Sequence, residues 1–314
     1  MIQYTQMKRT TTLLLLFGLI ALAACRKDKY DPSINQYDDD QIKAYITANG
    51  LTGMTRDTSG IYYKLIDPGK DTVLQYTSNV DMVFTVKSID NKYISTDSIA
   101  NHYDGFLGHI STTTSPIGLG TTGLQEAVKN IVNHNGGIAR LIVPSRLAYG
   151  VNGTGVGSSS NTAGRIAGNQ CLDYYVHIIG DATAQLAYDQ LLIKKYIADN
   201  NLTNMKQDPA GYWYGIDEPG LSTTPITDNS SIIVTYTAQL LNATIASQFN
   251  GVGGTSFDVP DLIPGVRLGL EKYGTTGALI TFLFPSVFAY GKATTTIPPN
   301  SVFRYDTRII SISN

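Results

Sequence analysis

Two stretches of the chain alternate strictly between apolar and polar residues. Every second residue is apolar from Val80 to Val86 and again from Ile232 to Ala238. A period of two is that of a β-strand with one buried and one solvated face. We therefore expect an antiparallel strand at each of these two positions.

The pattern predicts the same order of elements around both alternating strands. In the first copy they are an amphipathic helix near 38–48, a strand at 61–66 that leads to a Pro-Gly turn, the alternating strand, a helix near 123–132, a strand that ends at Pro144, and a terminal strand. In the second copy the opening helix lies near 185–200, the first strand at 212–216, the later helix near 265–273, and the following strand ends at Pro285. One helix packed on a curved antiparallel sheet is an α+β fold. The sequence predicts that fold twice, each time preceded by a short helix.

The chain repeats itself at the level of individual residues as well. Residues 42–69 and 193–220 align without a gap from Tyr45 and Tyr196 onward. Further on, both copies contain Pro-Ser-x-x-Ala-Tyr-Gly, which ends at Gly150 in the first and Gly291 in the second. Such long repeats indicate a duplicated domain. We expect a tether at 26–37, a first domain at 38–181 and a second at 182–314.

The N-terminus has the pattern of a bacterial lipoprotein signal peptide, residues 1–25. Lys8 and Arg9 precede the apolar run Leu13–Ala21, and Leu22-Ala-Ala-Cys25 matches a lipobox. The run is shorter than the ~20 residues that span a bilayer. We expect acylated Cys25 to anchor the protein in a lipid membrane of the cell envelope, the outer membrane being the leading assignment.

Composition and isolated motifs exclude several other functions. The net charge is -2 without a basic stripe, which argues against nucleic-acid binding. The four histidines lack the spacing of metal ligands, and Gly118–Gly123 lacks the strand that a dinucleotide site needs before it. With Cys25 lipidated, Cys171 has no disulfide partner and is expected to be buried. Asp38-Asp39-Asp40 precedes the first helix and is expected to cap it.

Four motifs of the second copy together resemble the FKBP family of peptidyl-prolyl isomerases. They are Val-Thr-Tyr-Thr at 234–237, Leu-Ile-Pro-Gly at 262–265, Phe-Pro-Ser-Val-Phe-Ala-Tyr-Gly at 284–291, and Ile-Pro-Pro-Asn at 297–300 followed by Phe-Arg-Tyr-Asp at 303–306. The first copy repeats most of them in degraded form. The resemblance implies a domain that accelerates rotation about X-Pro bonds and needs no metal or organic cofactor.

The resemblance also implies a proline-binding pocket in each copy. In the second copy, Tyr290 and Tyr236 would be the catalytic side chains, and the substrate-binding walls would be Phe257, Ile263, Val266 and Tyr305. The matching substrate-binding residues of the first copy are Phe84, Leu124, Tyr149 and Tyr174. In this family the loop after Ala-Tyr-Gly overhangs the pocket, and it is longer in the first copy, at Gly150–Gly164.

The pocket departs from the family pattern at two positions. Where the family places Trp at the pocket floor, this chain has Val266 and Leu124. Where the family has a Phe-Asp pair, the chain has Ile94-Ser95 and Ile245-Ala246, neither of them acidic. Both copies are therefore expected to have a weakened site. The first copy also has Phe84 in place of Tyr236 and Ala167-Gly168 in place of the Pro-Pro pair, which favours the second copy as the active one.

The leading hypothesis is a membrane-tethered prolyl isomerase and folding helper that acts on proline-containing or unfolded exported polypeptides. A non-catalytic peptide-binding module or chaperone with the same fold is the alternative, motivated by the two departures. A structural subunit of an envelope assembly is a third class.

Overall fold

A computed structural model of the chain describes residues 33–97, 99–156, 164–292 and 297–314. The predicted signal peptide with Cys25, and the predicted tether up to residue 32, lie outside the described residues. Within the described ranges, no helix is both long enough and apolar enough to cross a membrane. The chain divides into two compact units, Met1–Tyr37 and Asp38–Asn314, and both sheets lie in the second.

Within the described ranges, the first half of the chain contains two α-helices and eleven strands. They are α1 (Ile34–Ala48), β1 (Thr55–Arg56), β2 (Tyr62–Asp67), β3 (Lys70–Val73), β4 (Asn79–Ser88), β5 (Ile94–Ser95), β6 (His102–Phe106), α2 (Thr122–Ala127), β7 (His134–Asn135), β8 (Ile138–Val143), β9 (Thr154–Gly155), β10 (Arg165–Ile166) and β11 (Leu172–Ile179). A π-helical turn, Val128–Val132, continues α2. Helix α2 and this turn together cover the predicted helix at 123–132.

The described part of the second half contains two α-helices and seven strands. They are α3 (Ala182–Asp199), β12 (Lys206–Gln207), β13 (Trp213–Glu218), β14 (Ser231–Leu240), β15 (Ile245–Phe249), β16 (Thr255–Asp258), α4 (Pro264–Tyr273), β17 (Leu279–Phe284) and β18 (Phe303–Ser313). A single 3₁₀ turn lies between the Pro of the Pro-Ser motif and its Ala-Tyr-Gly in each half, at Ser145–Leu147 and Ser286–Phe288.

The two main sheets have the same topology. The first has the order β1-β2-β8-β11-β4-β5 with β6 also on β4, and the second has β12-β13-β17-β18-β14-β15 with β16 also on β14. All pairings in both sheets are antiparallel. The predicted α+β class and its duplication are confirmed. We call the parts of the chain that carry the two sheets the first and second domains; their predicted boundaries stay a prediction.

The predicted alternation of buried and solvated residues differs between the two domains. Strand β14 alternates from Ser231 to Val234 as expected. Strand β4 is buried on both faces, since Asp81 and Val83 on its outer face are 8% and 4% exposed. The outer face of β4 is covered because a segment of the second domain lies on it: Asn300 Nδ2 donates to Asp81 Oδ2 at 2.6 Å.

Each opening helix is fixed to its own domain by one buried aspartate. Asp38 on α1 accepts a hydrogen bond from the Ser145 hydroxyl at 2.7 Å, and Asp189 on α3 accepts from the Ser286 hydroxyl and backbone N–H, both at 2.7 Å. The prediction that Asp38 caps helix α1 is therefore wrong, because α1 begins at Ile34 and the Asp38 side chain faces the Pro-Ser turn. Both helices support the turn that ends in Ala-Tyr-Gly.

The central helix of each domain approaches its sheet closely at a glycine. At Gly265, the first turn of α4, an added Cβ would lie 2.6 Å from Phe284 Cδ1 and 2.7 Å from the Phe288 carbonyl oxygen. At Gly123 of α2 it would lie 2.3 Å from Val143 Cγ1. Contacts this short leave no room for a side chain, so the glycine of the Ile-Pro-Gly motif is required by packing.

Candidate functional site

Three aromatic rings of the second domain form one cluster at the edge of its core. The Tyr236 ring, on β14, lies 5.5 Å from the Tyr305 ring of β18 in a stacked arrangement, and 5.5 Å from the Phe257 ring of β16, edge to face. Tyr236 and Phe257 are half-buried, whereas Tyr305 is 6% exposed. The topology brings these strands together because β16 and β18 both pair with β14.

Aliphatic side chains complete the walls around these rings. Ile263, at the start of α4, and Ile297, just before β18, are half-buried and pack on the same apolar cluster. Val266 is 1% exposed and belongs to the core below. The side chains predicted for the second-domain pocket therefore lie around one apolar core. Val266 stands at the position where the family pattern has Trp.

Tyr290 is the most exposed residue of this group. It follows the 3₁₀ turn Ser286–Phe288, and its ring lies 5.2 Å from the Phe303 ring, yet 43% of the residue is exposed. Within the described ranges no hydrogen bond is made by its hydroxyl. Partial burial, with Tyr236 nearby, raises the pKa of Tyr290 above its ordinary value. The phenol is therefore protonated at neutral pH and can donate to a ligand.

The hydroxyl of Tyr236 already has a partner that the sequence did not reveal. Tyr236 Oη and Ser247 Oγ lie 2.7 Å apart, across β14 and β15. Ser247 thus takes the position at which a carboxylate was sought at Ile245-Ala246. A bulge skips one residue of β15, between the pairs Ala238↔Ser247 and Gln239↔Ile245. The partner of Tyr236 is a neutral hydroxyl, so the site carries no charge at this point.

In the first domain the matching residues are packed as core. Phe84, Leu124 and Tyr174 are at most 1% exposed, and the Phe84 and Tyr174 rings lie 6.5 Å apart. Tyr149 packs on the same cluster as a half-buried side chain. The four residues predicted to bind substrate here are together, but they do not enclose an open cup.

The space between these rings is filled by the protein's own backbone. The Tyr149 hydroxyl accepts a hydrogen bond from the Gly118 N–H at 2.9 Å, and the Tyr174 hydroxyl donates to the Gly118 carbonyl at 2.7 Å. The Tyr93 hydroxyl donates to the neighbouring Ile117 carbonyl at 3.0 Å. A Cβ on Gly118 would lie 2.6 Å from Val86 Cγ1, so only glycine fits against this wall.

The substrate-binding role of Phe84, Leu124, Tyr149 and Tyr174 stays a prediction. The hydroxyls of Tyr149 and Tyr174 are both bonded to Gly118, so a peptide would have to break these two hydrogen bonds before reaching them.

Cys171 is buried, as predicted, immediately before β11. Its thiol points at Asp38 Oδ1, 3.6 Å away, and burial raises its pKa to about 12. A thiol that stays protonated is a poor nucleophile. Cys171 is therefore a packing residue.

A separate cavity of about 530 Å³ lies where the two domains meet. Residues of both domains line it, among them Asp81, Asp189, Val287 and Lys292. Asp189 is already bonded to Ser286, and the described residues contain no group of side chains suited to hold a metal ion. The cavity is distinct from the aromatic cluster, because Tyr236, Phe257 and Tyr305 are not among the residues that line it.

Comparison with known proteins gives structural neighbours only. No family model matches the chain, and no curated protein matches it. A peptidyl-prolyl cis-trans isomerase of Pseudomonas syringae pv. tomato is 23% identical over 43% of this chain and 97% of its own, with a TM-score of 0.37. FkpA from Escherichia coli is 26% identical over 42% of this chain and 61% of its own, with a TM-score of 0.35.

A third neighbour extends over most of the chain. The three FKBP domains of wheat FKBP73 are 16% identical over 83% of this chain and 99% of their own length, with a TM-score of 0.31. The proteins to which the chain is similar in structure thus include a peptidyl-prolyl isomerase and FKBP domains.

Proposed function

We propose that the second domain is a peptidyl-prolyl cis-trans isomerase that acts on proline-containing segments of exported polypeptides. One observation carries the proposal. The Tyr290 hydroxyl is exposed beside the cluster of Tyr236, Phe257 and Tyr305, whereas the hydroxyl of its counterpart Tyr149 accepts a hydrogen bond from Gly118. Among the residues that the structure describes, the second domain combines an aromatic wall with an unengaged donor and the first domain does not.

The chemistry asks little of the protein beyond shape and a donor. Rotation about an X-Pro bond must break a partial double bond, with a barrier of about 18–20 kcal/mol. In the twisted state the amide loses its resonance, so an environment that holds the proline ring in apolar contact lowers the barrier. The σ bonds of the peptide stay intact and only the partial double-bond character of the C–N bond is lost, which fits a site built from rings, aliphatic walls and hydroxyls.

The residues divide this work by their positions. The rings of Tyr236, Phe257 and Tyr305, with Ile263 and Val266, would hold the proline ring and exclude water. The Tyr290 hydroxyl would donate to a carbonyl oxygen of the bound peptide, in the geometry that the twisted amide presents. Tyr236 would be held in place by Ser247, so we assign it orientation of the bound proline and Tyr290 the main hydrogen bond.

The site of action follows from the N-terminus. We propose that acylated Cys25 tethers the mature protein to a membrane of the cell envelope, the outer membrane being favoured, where unfolded exported polypeptides are its partners. Several acyl chains hold a protein at a bilayer far more firmly than one. Acylation of Cys25 is open to mass spectrometry of the membrane fraction, and Cys25→Ala should release the protein.

The test compares one substitution at equivalent positions of the two domains. In the full mature chain, Tyr290→Phe should lower kcat/KM for cis-trans exchange of a Leu-Pro peptide about tenfold or more, because a donor to the twisted amide is lost. The matched control Tyr149→Phe should leave the rate unchanged. Equal effects of the two variants, or no exchange by the wild type, would rule out the proposal.

A non-catalytic peptide-binding module is the second candidate. It is favoured by the small, buried Val266 and by the neutral Ser247, which leave the pocket with less aromatic surface and less charge than the family pattern. In this case proline peptides would bind the second domain without faster exchange, and the binding would survive Tyr290→Phe. Suppression of aggregation that survives Tyr290→Phe would be its signature.

A further inference from the structure

The two domains are joined by a set of hydrogen bonds and ion pairs at one place. On the first-domain side, Asp81 of β4 accepts from Asn300 Nδ2 at 2.6 Å and lies 3.3 Å from Lys292 Nζ. Asp104 of β6 lies 3.3 Å from the same Lys292 nitrogen, and His102 Nδ1 donates to the Pro299 carbonyl at 2.8 Å. Three adjacent positions on two first-domain strands thus contact one short stretch of the second domain.

That stretch leads directly out of the second-domain pocket. Lys292 comes two residues after Tyr290, and Pro299 and Asn300 come shortly after Ile297, which packs on the pocket cluster. The Asn300 N–H donates to the Gly291 carbonyl at 2.8 Å. We call the described residues 291–292 and 297–300 the connection. The first domain contacts it on both sides of the pocket residue Ile297, at Lys292 and at Pro299 and Asn300.

A second attachment lies at the other edge of the same site. Asp97 Oδ2 accepts from Asn242 Nδ2 at 2.6 Å, at the turn between β14 and β15. Beside it, Ile99 of the first domain packs on the apolar cluster of the second. Asp97 Oδ1 also accepts from the backbone N–H groups of Ile99 and Ala100, at 2.9 and 3.2 Å.

Among the residues that make these contacts, Asp81 is a carboxylate whose burial costs free energy. Its carboxylate is 9% exposed, and Oδ1 is buried without a hydrogen-bond partner among the described residues. Burial raises its pKa to about 6, against the opposing effect of Lys292. Burying a carboxylate costs free energy unless hydrogen bonds or an opposite charge offset the loss of hydration.

We propose that the first domain positions the pocket of the second, with Asp81 as the positioning residue, an inference that rests on the proposed function. The first domain's own pocket is filled by Gly118, so its remaining contribution is structural support. Asp81 holds Asn300 and Lys292, and through them the connection that carries Ile297. It touches no substrate itself.

The position of the contacts predicts which kinetic constant changes. Tyr290 is held from within the second domain, since the N–H groups of Ala289 and Gly291 both donate to the Ser286 carbonyl. Loss of Asp81 should therefore leave the Tyr290 hydroxyl in place and disturb the wall around Ile297. The expected effect is weaker peptide binding at nearly constant turnover.

The experiment uses three variants of the full mature chain in the same exchange assay. Asp81→Ala should raise KM for a Leu-Pro peptide about fivefold while kcat changes by less than about twofold. Asp81→Asn should restore KM, because its amide oxygen can still accept from Asn300. Asp90→Ala is the matched control, as Asp90 bonds to Ser88 and Lys92 of its own turn.

Hydrogen exchange at the Asn300 amide gives a readout that needs no activity. Asp81→Ala should lower its protection, and Asp90→Ala should not. Unchanged protection, or lowered protection with unchanged KM, would overturn the positioning role and leave the proposed function intact. An inactive wild type would instead refute the proposed function, and lowered protection in Asp81→Ala would then still support the contact of Asp81 with the connection.

Discussion

The two domains have the same sheet order, the same docked helix and the same Ala-Tyr-Gly turn, yet their pockets differ. In the second domain Tyr290 is exposed beside half-buried rings. In the first, the equivalent rings surround Gly118, which satisfies the hydroxyls of both Tyr149 and Tyr174. A duplicated fold therefore does not duplicate the site, because one glycine in a connecting segment can take the place of the ligand.

The open pocket of the second domain also has a cost in stability, because two of its tyrosine hydroxyls lack partners within the described ranges. In the first domain every tyrosine around the pocket has an intramolecular partner, which is the usual condition of buried hydroxyls. In the second domain the hydroxyls of Tyr290 and Tyr305 have none among the described residues. Unpaired donors beside an apolar wall are a feature that a ligand can use and that stability alone does not favour.

The largest expected effect is a loss of stability of the first domain when a side chain is added at Gly118. Gly118→Ala should destabilise the first domain by about 3 kcal/mol, because φ is +96° and the new Cβ would meet Val86 at 2.6 Å. Gly150→Ala is the control, with φ +58° and open space around it, and should cost only about 1 kcal/mol. Urea unfolding measures both. Equal losses would mean that Gly118 does not seal the first pocket.

A smaller effect is expected from the pH dependence of Asp81. Its folded pKa of about 6 lies above the ordinary value of 3.8, so the folded state binds the proton more tightly. The resulting stability is present below pH 3.8 and is lost as pH rises through 6. The groups that face Asp81 are Lys292, Asp104, Asp189 and Asn300.

Asp81→Asn isolates this contribution, since it removes one titrating group and keeps the others. The unfolding free energy of the wild type minus that of Asp81→Asn should fall by about 2 kcal/mol between pH 4 and 7. Urea titrations at several pH values measure the difference. A difference that rises with pH would show that Lys292 dominates over burial and would reverse the sign.

The smallest effect separates the two pockets by their hydroxyls. Tyr174→Phe should cost about 1.5 kcal/mol, because the buried Gly118 carbonyl loses its donor. Tyr305→Phe, at the equivalent position, should cost less than about 0.5 kcal/mol, since the structure records no hydrogen bond from that hydroxyl within the described ranges. Thermal or urea unfolding of both variants checks this. A reversed order of the two losses would contradict the contrast between filled and open pockets.

The sequence was sufficient for the fold, whereas the roles of the pocket residues stay predictions. Alternation from Ile232 to Ala238 predicted strand β14, and the repeated Pro-Ser-x-x-Ala-Tyr-Gly placed Tyr149 and Tyr290 at equivalent turns. These features are local, because each depends on the period of one strand or on the residues of one turn. The predicted neighbours Tyr236, Phe257 and Tyr305 do lie together.

The features that the sequence did not reveal depend on register and on contacts between distant segments. Ser247 was missed because a bulge skips one residue of β15, which no residue type signals. Gly118 lies in a segment that has no aligned counterpart. Asp81 occupies an outward position on a strand, where a carboxylate normally faces water, and its burial comes from Asn300 of the other domain.

Nuclear magnetic resonance of the full mature chain with labelled tyrosine side chains tests the central claim most directly. A Leu-Pro peptide is titrated in, and each tyrosine reports on its own surroundings. We predict that the chemical shifts of Tyr290, Tyr236 and Tyr305 change with peptide concentration until they reach a plateau, while those of Tyr149 and Tyr174 stay in place. Saturable changes at Tyr149 and Tyr174, with Tyr290 unaffected, would show that the peptide enters the first domain and would contradict the proposed function of the second.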